Sequence, residues 1–292
     1  MKIKAYNLVN SVVQEELDAG LLAESYEVTV KDGKNISLPD VFDSEIRQDL
    51  VKSAVHASRA NRRQPYGHRE HDGKRAPQPG MKHSVEWWGK GRGVSRIMRK
   101  TGQRTAAQNP HTRGGRRAHG PMVAKDWSQK LNSKQKLLAR NSAISASMDK
   151  SIVSARGHKF SDETRFPIII GDYMESRNGS DEKYDLESIP LQYSTRKFVA
   201  MMEGLGLGDD LVRAKEGRKI RAGKATMRGR KYRTPKSVLL VVSKKEGLHK
   251  AAKNVPGVDV IATKDLCAED LAPGGDIGRL TVWTKSAIEE LE

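Results

Sequence analysis

Short apolar runs recur through the second half of the chain. The runs at 166–170, 237–242, 258–261 and 280–283 are rich in β-branched residues and bounded by Gly, Pro or Lys. This pattern predicts buried strands. A weaker apolar run at 211–214 predicts a fifth strand. We expect these segments to share one sheet.

Stretches with helical spacing lie between these runs, at 194–204, 248–254 and 264–271. Alternation of strand and helix predicts an α/β domain with three layers, a mostly parallel central sheet and helices on both faces. Near the N-terminus, apolar residues flank Asp32-Gly33. This dipeptide predicts a β-hairpin at the edge of the sheet.

Two more helices are predicted on either side of a segment with no period. Apolar spacing predicts the first helix over 41–58. Asn132 is a candidate N-cap for the second helix, which runs to residue 149. The apolar stripe of this helix is expected to comprise Leu137, Ile144 and Met148.

The segment between these helices, residues 59–125, shows neither a helical nor a strand period. It holds ten Gly, five Pro, and 17 Lys and Arg against three acids. With so few apolar residues it cannot offset its ordering entropy by collapsing on itself. We therefore predict a globular body of residues 1–58 and 126–292, and an irregular extension of residues 59–125 that orders against a partner. A disordered linker is the alternative.

The charge is concentrated in two places. The 292 residues include 53 Lys and Arg against 36 Asp and Glu, a net charge of +17. The extension carries net +14, residues 213–236 carry net +10, and the remainder is net −7. Clustered positive charge attracts a polyanion, so nucleic acid is the expected partner. We call residues 213–236 the second basic cluster. The alternative for this cluster is a charged loop that is merely solvated.

Arginine dominates the extension, where it is interleaved with Gly and aromatic residues. Its guanidinium pairs bidentately with phosphate and stacks on bases, and Gly allows close backbone approach. In the extension, the RNA-binding candidates are Arg62, Arg63, Arg75, Trp87, Trp88, Lys90, Arg92, Arg96, Arg99, Lys100, Arg104, Arg113, Arg116 and Arg117. In the second basic cluster they are Arg221, Lys224, Arg228, Arg230, Lys231 and Arg233.

Glycine motifs offer little evidence for nucleotide chemistry. The segment 217–225 has five residues between its glycines where a phosphate loop needs four, and Ala225 replaces the Mg²⁺-binding Ser or Thr. The Gly204-x-Gly206-x-Gly208 run follows a predicted helix rather than a strand. We interpret it as a helix end followed by a turn.

Other candidate chemistry is also weak. His68 and His71 lack a second pair of metal ligands and have basic neighbours. Cys267, the single cysteine, is expected to be a buried small hydrophobe, and Asp172 follows a predicted strand without a second carboxylate. We predict no catalytic residue, no metal and no cofactor. The chain also has no apolar stretch long enough to span a membrane.

Several ordered motifs resemble the large-subunit ribosomal protein L-four family, in its archaeal and eukaryotic-cytosolic branch. The likeness extends from Leu38 onward and favours an archaeal source. It is carried by Gly89-Lys-Gly-Arg-Gly-Val-Ser-Arg96, Arg113-Gly-Gly-Arg-Arg-Ala-His119, Trp127-Ser-Gln-Lys-Leu-Asn-Ser-Lys134, Arg156-Gly-His158, Arg228-Gly-Arg-Lys-Tyr-Arg233, Asp270-Leu-Ala-Pro273 and Gly278-Arg-Leu-Thr-Val-Trp283.

This resemblance implies a structural protein of the cytoplasmic large ribosomal subunit. Its partners would be large-subunit rRNA, neighbouring large-subunit proteins and the nascent polypeptide. The tip of the extension would help to line the peptide exit tunnel, with Lys90, Arg92, Arg96 and Arg113 as the tunnel-lining candidates. Two alternatives remain: an RNA-processing or RNA-modifying enzyme with an α/β nucleotide-binding domain, and a free RNA chaperone.

Overall fold

A computed structural model describes residues 1–16, 22–67, 84–113, 118–119, 121–177, 180–189 and 194–291. The chain divides into two compact units. The body unit comprises Met1–Ser58 and Lys130–Glu292, and the arm unit comprises Arg59–Gln129.

Strands and helices are numbered here in chain order. The strands are β1 (Lys2–Glu16), β2 (Leu22–Ser37), β3 (Val85–Trp87), β4 (Met98–Lys100), β5 (Ile168–Arg177), β6 (Ser180–Tyr184), β7 (Lys219–Ile220), β8 (Tyr232–Arg233), β9 (Leu239–Val242), β10 (Asp259–Ala262) and β11 (Thr281–Thr284). The α-helices are α1 (Gln48–Asn61), α2 (Ser133–Ala146), α3 (Lys150–Ala155), α4 (Ser194–Gly204), α5 (Gly208–Glu216), α6 (Gly247–Lys253), α7 (Ala268–Leu271) and α8 (Lys285–Glu289).

A seven-stranded sheet forms the centre of the body unit, in the order β10-β9-β11-β5-β1-β2, with β6 also paired to β5. The pairs from β10 through β1 are parallel. Among the described strands of this sheet, only the β1–β2 and β5–β6 pairs are antiparallel. The prediction of a mostly parallel central sheet is therefore confirmed.

Alternate residues of the sheet bury against two separate layers of helices. Ile168 and Ile170 of β5 pack in the core that holds Phe198 of α4 and Ala251 of α6. Ile169, between them, points into the opposite core with residues of α1, α2 and α8. This alternation follows from the period of two along a strand, and it confirms the three-layer α/β class.

Two predictions around α5 had different outcomes. The weak strand at 211–214 is wrong, because these residues lie in α5. Leu211 and Ala214 are buried three positions apart while Val212 is exposed, which is a helical and not an alternating pattern. The helix end and turn at Gly204 to Gly208 are confirmed, since α4 ends at Gly204 and Gly206 has a φ of +75°.

The hairpin turn predicted at Asp32-Gly33 is also wrong, because both residues lie inside β2, the edge strand of the sheet. The pairing of β1 with β2 shifts register between Lys4 and Tyr6, opposite this dipeptide. A Cβ atom at Gly33 would lie 2.5 Å from Oδ1 of Asn7. Glycine therefore serves a bulge at this position rather than a turn.

The predicted helices near the arm need adjustment. Residues 41–58 form a 3₁₀ turn at Asp40–Asp43 followed by α1. Asn132 occupies the N-cap position of α2, although its side chain makes no capping hydrogen bond. The predicted apolar stripe is partly wrong, because Leu137 is half exposed whereas Ile144 and Ala143 are buried. Small Ala and Ser residues form most of the buried face of α2.

The arm unit contains local secondary structure that the sequence pattern did not predict. Strands β3 and β4 pair antiparallel, with Val85 opposite Lys100 and Trp87 opposite Met98. Backbone hydrogen bonds then join Lys100 to Thr105, at 3.0 Å. The extension, expected to be irregular, therefore contains a short hairpin of paired strands.

Candidate nucleic-acid interface

Arg99 organises the β3–β4 hairpin from within. Its side chain is buried, and its Nη1 atom donates to the carbonyl of Arg104. Its Nη2 atom donates to both the carbonyl and the hydroxyl of Ser95, each at 3.1 Å. These bonds tie the segments before and after β4 to the Arg99 side chain. Its guanidinium is therefore bonded to protein and is not presented to a phosphate. The structure does not favour it as an RNA ligand.

Trp88 lies between two arginines of the same hairpin. The guanidinium of Arg92 is 4.5 Å from the ring centroid and that of Arg99 is 5.6 Å away. The indole N–H donates to Glu86 at 3.2 Å. Trp88 is thus part of the packing of the hairpin, whereas Trp87 is 64% exposed and available to a partner.

Most cations of the arm point into solvent. A glycine turn presents Lys90 and Arg92, because Gly91 and Gly93 both have positive φ and nothing approaches their Cβ positions. Apart from buried Arg99, the structure describes the side chains of eight cationic candidates in the arm. Among these eight, Lys100 is half-buried and the others are exposed. The exposed set is Arg62, Arg63, Lys90, Arg92, Arg96, Arg104 and Arg113. The candidates Arg75, Arg116 and Arg117 lie outside the described residues, as do His68 and His71.

The two ends of the arm run against each other. The side-chain oxygen of Asn61 accepts from the backbone N–H of Gln129 at 2.9 Å. A Cβ atom at Gly67 would lie 2.7 Å from the backbone nitrogen of Val123. This close approach brings Tyr66 to Trp127, with ring centroids 4.7 Å apart. The pair was missed in the sequence because its members are separated by the whole arm.

The second basic cluster forms a small hairpin of β7 and β8. Its RNA-binding candidates Arg221, Lys224, Arg228, Arg230, Lys231 and Arg233 are all exposed. Arg221 also donates through Nε to the carbonyl of Tyr232 at 3.0 Å. The ring of Tyr232 has the Arg218 guanidinium 4.4 Å from its centroid and Lys231 at 5.5 Å. The hairpin therefore displays cations around one aromatic residue.

Two other arginines, Arg279 and Arg156, bond to acceptors inside the body unit. Arg279 is 1% exposed and donates to the carbonyls of Ser237 and Asp270 at 3.1 and 2.8 Å, and to Asp259 at 2.6 Å. Arg156 donates to the carbonyl of Pro273 at 2.8 Å. Two of the arginine-containing motifs thus hold loops of the body together and do not present a charge to RNA.

Asp210 collects hydrogen bonds in the same region. It accepts from Arg213 Nε at 2.8 Å, Ser237 Oγ at 2.6 Å and the backbone N–H of Lys159 at 3.1 Å. Burial alone would raise the pKa of Asp210, but hydrogen bonds from His158 and Arg213 hold it well below its ordinary value. The carboxylate is therefore a charged structural centre.

The carboxyl ends of the central strands are where open α/β sheets usually bind ligands. Here the buried carboxylate of Glu187 lies at that edge. It accepts from the backbone N–H groups of Ser243 and Lys244, each at 2.8 Å, and from the hydroxyl of Thr284 at 2.8 Å. A protein anion therefore occupies the donors that a ligand phosphate would need.

The structure also places Asp172 and Cys267, two other residues considered as candidate chemistry. Asp172 lies within β5 and forms an exposed ion pair with Lys183 at 3.1 Å. The expectation that Cys267 is buried is wrong, because it is exposed at the N-cap of α7. Its Sγ atom donates to Asp270 at 2.8 Å. Although the residue as a whole is exposed, partial desolvation of its thiol and the neighbouring Asp270 carboxylate raise the pKa of Cys267 to about 11.

Comparison with known proteins identifies the family. The family model described as ribosomal protein L4/L1 family matches residues 36–292. The chain belongs to the ribosomal protein L4/L1 family. The resemblance of its motifs to the L-four proteins is therefore confirmed. The L4/L1 match starts within β2, so β1 and most of β2 precede it.

Individual L4/L1 relatives cover most of the chain. The large ribosomal subunit protein uL4 of Methanococcoides burtonii is 44% identical over 257 residues, which is 88% of this chain and 92% of the relative. The uL4 protein of Halobacterium salinarum is 41% identical over 270 residues, covering 91% and 98%. That of Methanopyrus kandleri is 40% identical over 262 residues, covering 88% and 92%.

Proposed function

We propose that this chain is a structural constituent of the large ribosomal subunit, held there by large-subunit rRNA and neighbouring ribosomal proteins. One observation carries this proposal: in this chain of the L4/L1 family, the cations of two surfaces face solvent while two arginines of the body bond to protein. Cations in the arm and in the β7–β8 hairpin are mostly exposed, whereas in the body Arg279 is buried and Arg156 is half-buried, and both donate to protein carbonyls.

The mechanism of assembly is phosphate neutralisation. Each exposed cation that meets a phosphate releases counterions, which makes affinity depend steeply on salt. The arm and the β7–β8 hairpin supply two such surfaces on one chain, so the protein holds two stretches of rRNA. Exposed Trp87 and the guanidinium planes add base stacking.

The tip of the arm contributes to the wall of the peptide exit tunnel in this proposal, and it contacts the nascent polypeptide there. Lys90, Arg92, Arg96 and Arg113 are the tunnel-lining residues, and in the wall they also contact phosphates of the surrounding rRNA. Their exposure and the positive-φ glycine turn around Arg92 support the assignment, because a tunnel wall needs side chains that protrude from an ordered base.

A structural role is also favoured over an enzymatic one. An RNA-processing or RNA-modifying enzyme would bind a nucleotide or methyl donor at the carboxyl ends of the strands, where Glu187 already uses the available donors. The protein requires no cofactor or metal for the role proposed here, and it acts in the cytoplasm. Among the described residues, no helix is long and apolar enough to cross a bilayer.

Salt-dependent binding tests the rRNA proposal. Replacing Lys90, Arg92, Arg96 and Arg113 together with Gln should make the slope of log affinity against log salt shallower by about 3 for large-subunit rRNA. Replacing the exposed body residues Lys250 and Lys253 with Gln is the control, and it should leave the slope unchanged. Equal slopes for the wild type and the fourfold variant would contradict the proposal.

Cross-linking tests the tunnel assignment separately. In a Cys267→Ser background, ribosomes containing Arg92→Cys should form a cross-link to a nascent chain that carries a thiol-reactive group. Ribosomes containing Lys250→Cys, exposed on α6, are the control. Equal cross-linking at both positions, or none at Arg92→Cys, would contradict the tunnel assignment.

A further inference from the structure

We call the place where residues 61–67 meet residues 121–129 the neck of the arm. The neck contains a cleft that the rRNA proposal does not use. It has a volume of about 680 Å³ and lies between the segment that enters the arm and the segment that leaves it. This volume is within the range of small-molecule binding sites. Its walls include Arg63, Tyr66, His119, Met122, Lys125 and Trp127.

Aromatic and cationic groups converge in this cleft. The ring planes of Tyr66 and Trp127 are tilted by 41° at a centroid separation of 4.7 Å. The guanidinium of Arg63 lies 5.8 Å from the Trp127 centroid and the Lys125 ammonium lies 5.6 Å from it. None of the described residues that line the cleft is acidic. The lining therefore suits a flat, electron-rich group that carries negative charge.

Two features show that the aromatic pair has unused binding capacity. Tyr66 is 59% exposed, so one face of its ring is open to a partner. The indole Nε1 of Trp127 is buried and has no acceptor in the part of the chain that the structure describes. An unmade hydrogen bond at a buried donor is unfavourable. A ligand with an acceptor atom near the indole would remove that cost.

The cleft is also positioned by contacts that do not involve its own aromatic rings. The bond from Gln129 to Asn61 and the close approach of Gly67 to Val123 hold the two segments together. A side chain at Gly67 would force them apart, since its Cβ would also meet the carbonyl of Pro121 at 2.9 Å. The site is therefore a product of the neck geometry.

We propose that this cleft binds one unstacked nucleobase of an RNA strand, which stacks on Tyr66 and Trp127 while Arg63 and Lys125 contact its flanking phosphates. The inference rests on the proposed rRNA-binding function and adds a specific site to it. Single-stranded RNA is recognised in this way, by bases stacked on aromatic side chains beside cations. The site differs from the tip because it selects a splayed base rather than phosphate charge alone.

The experiment compares a short fluorescent oligoadenylate with an abasic ribose-phosphate oligomer of the same length and charge. The full chain should bind the oligoadenylate more tightly. Tyr66→Ala should reduce this preference by roughly fivefold or more, because stacking on one aromatic residue contributes that much. Tyr66→Phe keeps the ring and should retain the preference.

A matched control is Tyr232→Ala, which removes another exposed tyrosine that is flanked by cations. Tyr66→Ala should reduce the preference for oligoadenylate by the same factor in the Tyr232→Ala background as in the wild type. Wild-type binding to large-subunit rRNA is measured in parallel. If rRNA binds but Tyr66→Ala leaves the base preference intact, the nucleobase site is overturned and the rRNA proposal stands. If the wild type does not bind rRNA, both fail.

Discussion

The Nδ1 atom of His158 lies 3.2 Å from each carboxylate oxygen of Asp210, and both side chains are buried. Arg213 and Ser237 complete the set of side-chain donors around the same carboxylate. The Asp210 centre therefore ties α5 to the segment after α3 and to Ser237, two residues before β9. Removing its charge should loosen three parts of the body unit together.

Asp210→Asn should lower the free energy of unfolding by about 3 kcal/mol, since breaking a buried charge pair leaves its partners uncompensated. Urea unfolding at neutral pH measures the change. Asp209→Asn is the matched control, because Asp209 is the preceding residue of α5 and is exposed. We expect Asp209→Asn to cost less than about 0.5 kcal/mol. Equal effects of the two variants would contradict the role of Asp210.

The same carboxylate predicts a pH dependence. The pKa of Asp210 is lower in the folded protein than its ordinary value of 3.8. Its stabilisation is therefore complete above about pH 4 and is lost as the pH falls from there through the folded pKa. Unfolding free energies measured from about pH 7 to about pH 3 should fall more steeply for the wild type than for Asp210→Asn. Parallel curves would show that Asp210 does not contribute.

Arg279 and Lys236 both contact Asp259, and they should differ strongly in their effect on stability. Lys236 is half exposed and its ion pair with Asp259 is 2.7 Å long. Lys236→Met should cost less than about 1 kcal/mol. Arg279→Met should cost about 3 kcal/mol, because it leaves buried carbonyls without donors. Thermal unfolding of both variants tests this ranking, and a larger loss for Lys236→Met would refute it.

The thiol of Cys267 should react slowly at neutral pH. Because its pKa is raised to about 11, little thiolate is present until the pH becomes strongly alkaline. Asp270→Asn removes the carboxylate that accepts from Sγ but keeps the backbone carbonyl used by Arg279. The variant should be alkylated by iodoacetamide faster at about pH 8. Equal rates in folded protein would show that Asp270 does not govern the thiol.

Periodicity predicted the helices and strands whose burial pattern is local. The bounds 194–204 match α4 because Phe198, Met201 and Met202 lie on one face of the helix and are all buried. Strand β1 was not predicted, because its central position depends on pairing with β5 and β2. Gly33 was misinterpreted for a related reason. A glycine in a bulge and a glycine in a turn have the same local sequence, and only the partner strand distinguishes them.

The candidate site shows a similar limit. Charge clustering identified the arm and the β7–β8 hairpin, because net charge is a property of composition. It could not separate Arg99 from Arg96, since an arginine can donate to carbonyls as well as to phosphates. The pairing of Tyr66 with Trp127 depends on the two ends of the arm meeting at the neck. No local pattern in the sequence reports that contact.

Arg96 and Arg99 give the sharpest test of this distinction within the arm. Arg96 is exposed, so Arg96→Gln should reduce the salt slope for large-subunit rRNA by roughly 0.7 to 0.9 while leaving the free protein unchanged. Arg99→Gln removes the donors to Ser95 and Arg104, so it should loosen the β3–β4 hairpin in the free protein.

Amide exchange at Lys100 and Ala107, whose backbone N–H groups bond to Thr105 and Met98, reports that loosening. We expect faster exchange at these two positions in Arg99→Gln and no change in Arg96→Gln, because Arg99 is buried and bonds to the loop they close, whereas Arg96 is exposed. The opposite assignment, with faster exchange in Arg96→Gln and the larger change of salt slope in Arg99→Gln, would mean that the exposed cation supports the hairpin and the buried one binds rRNA.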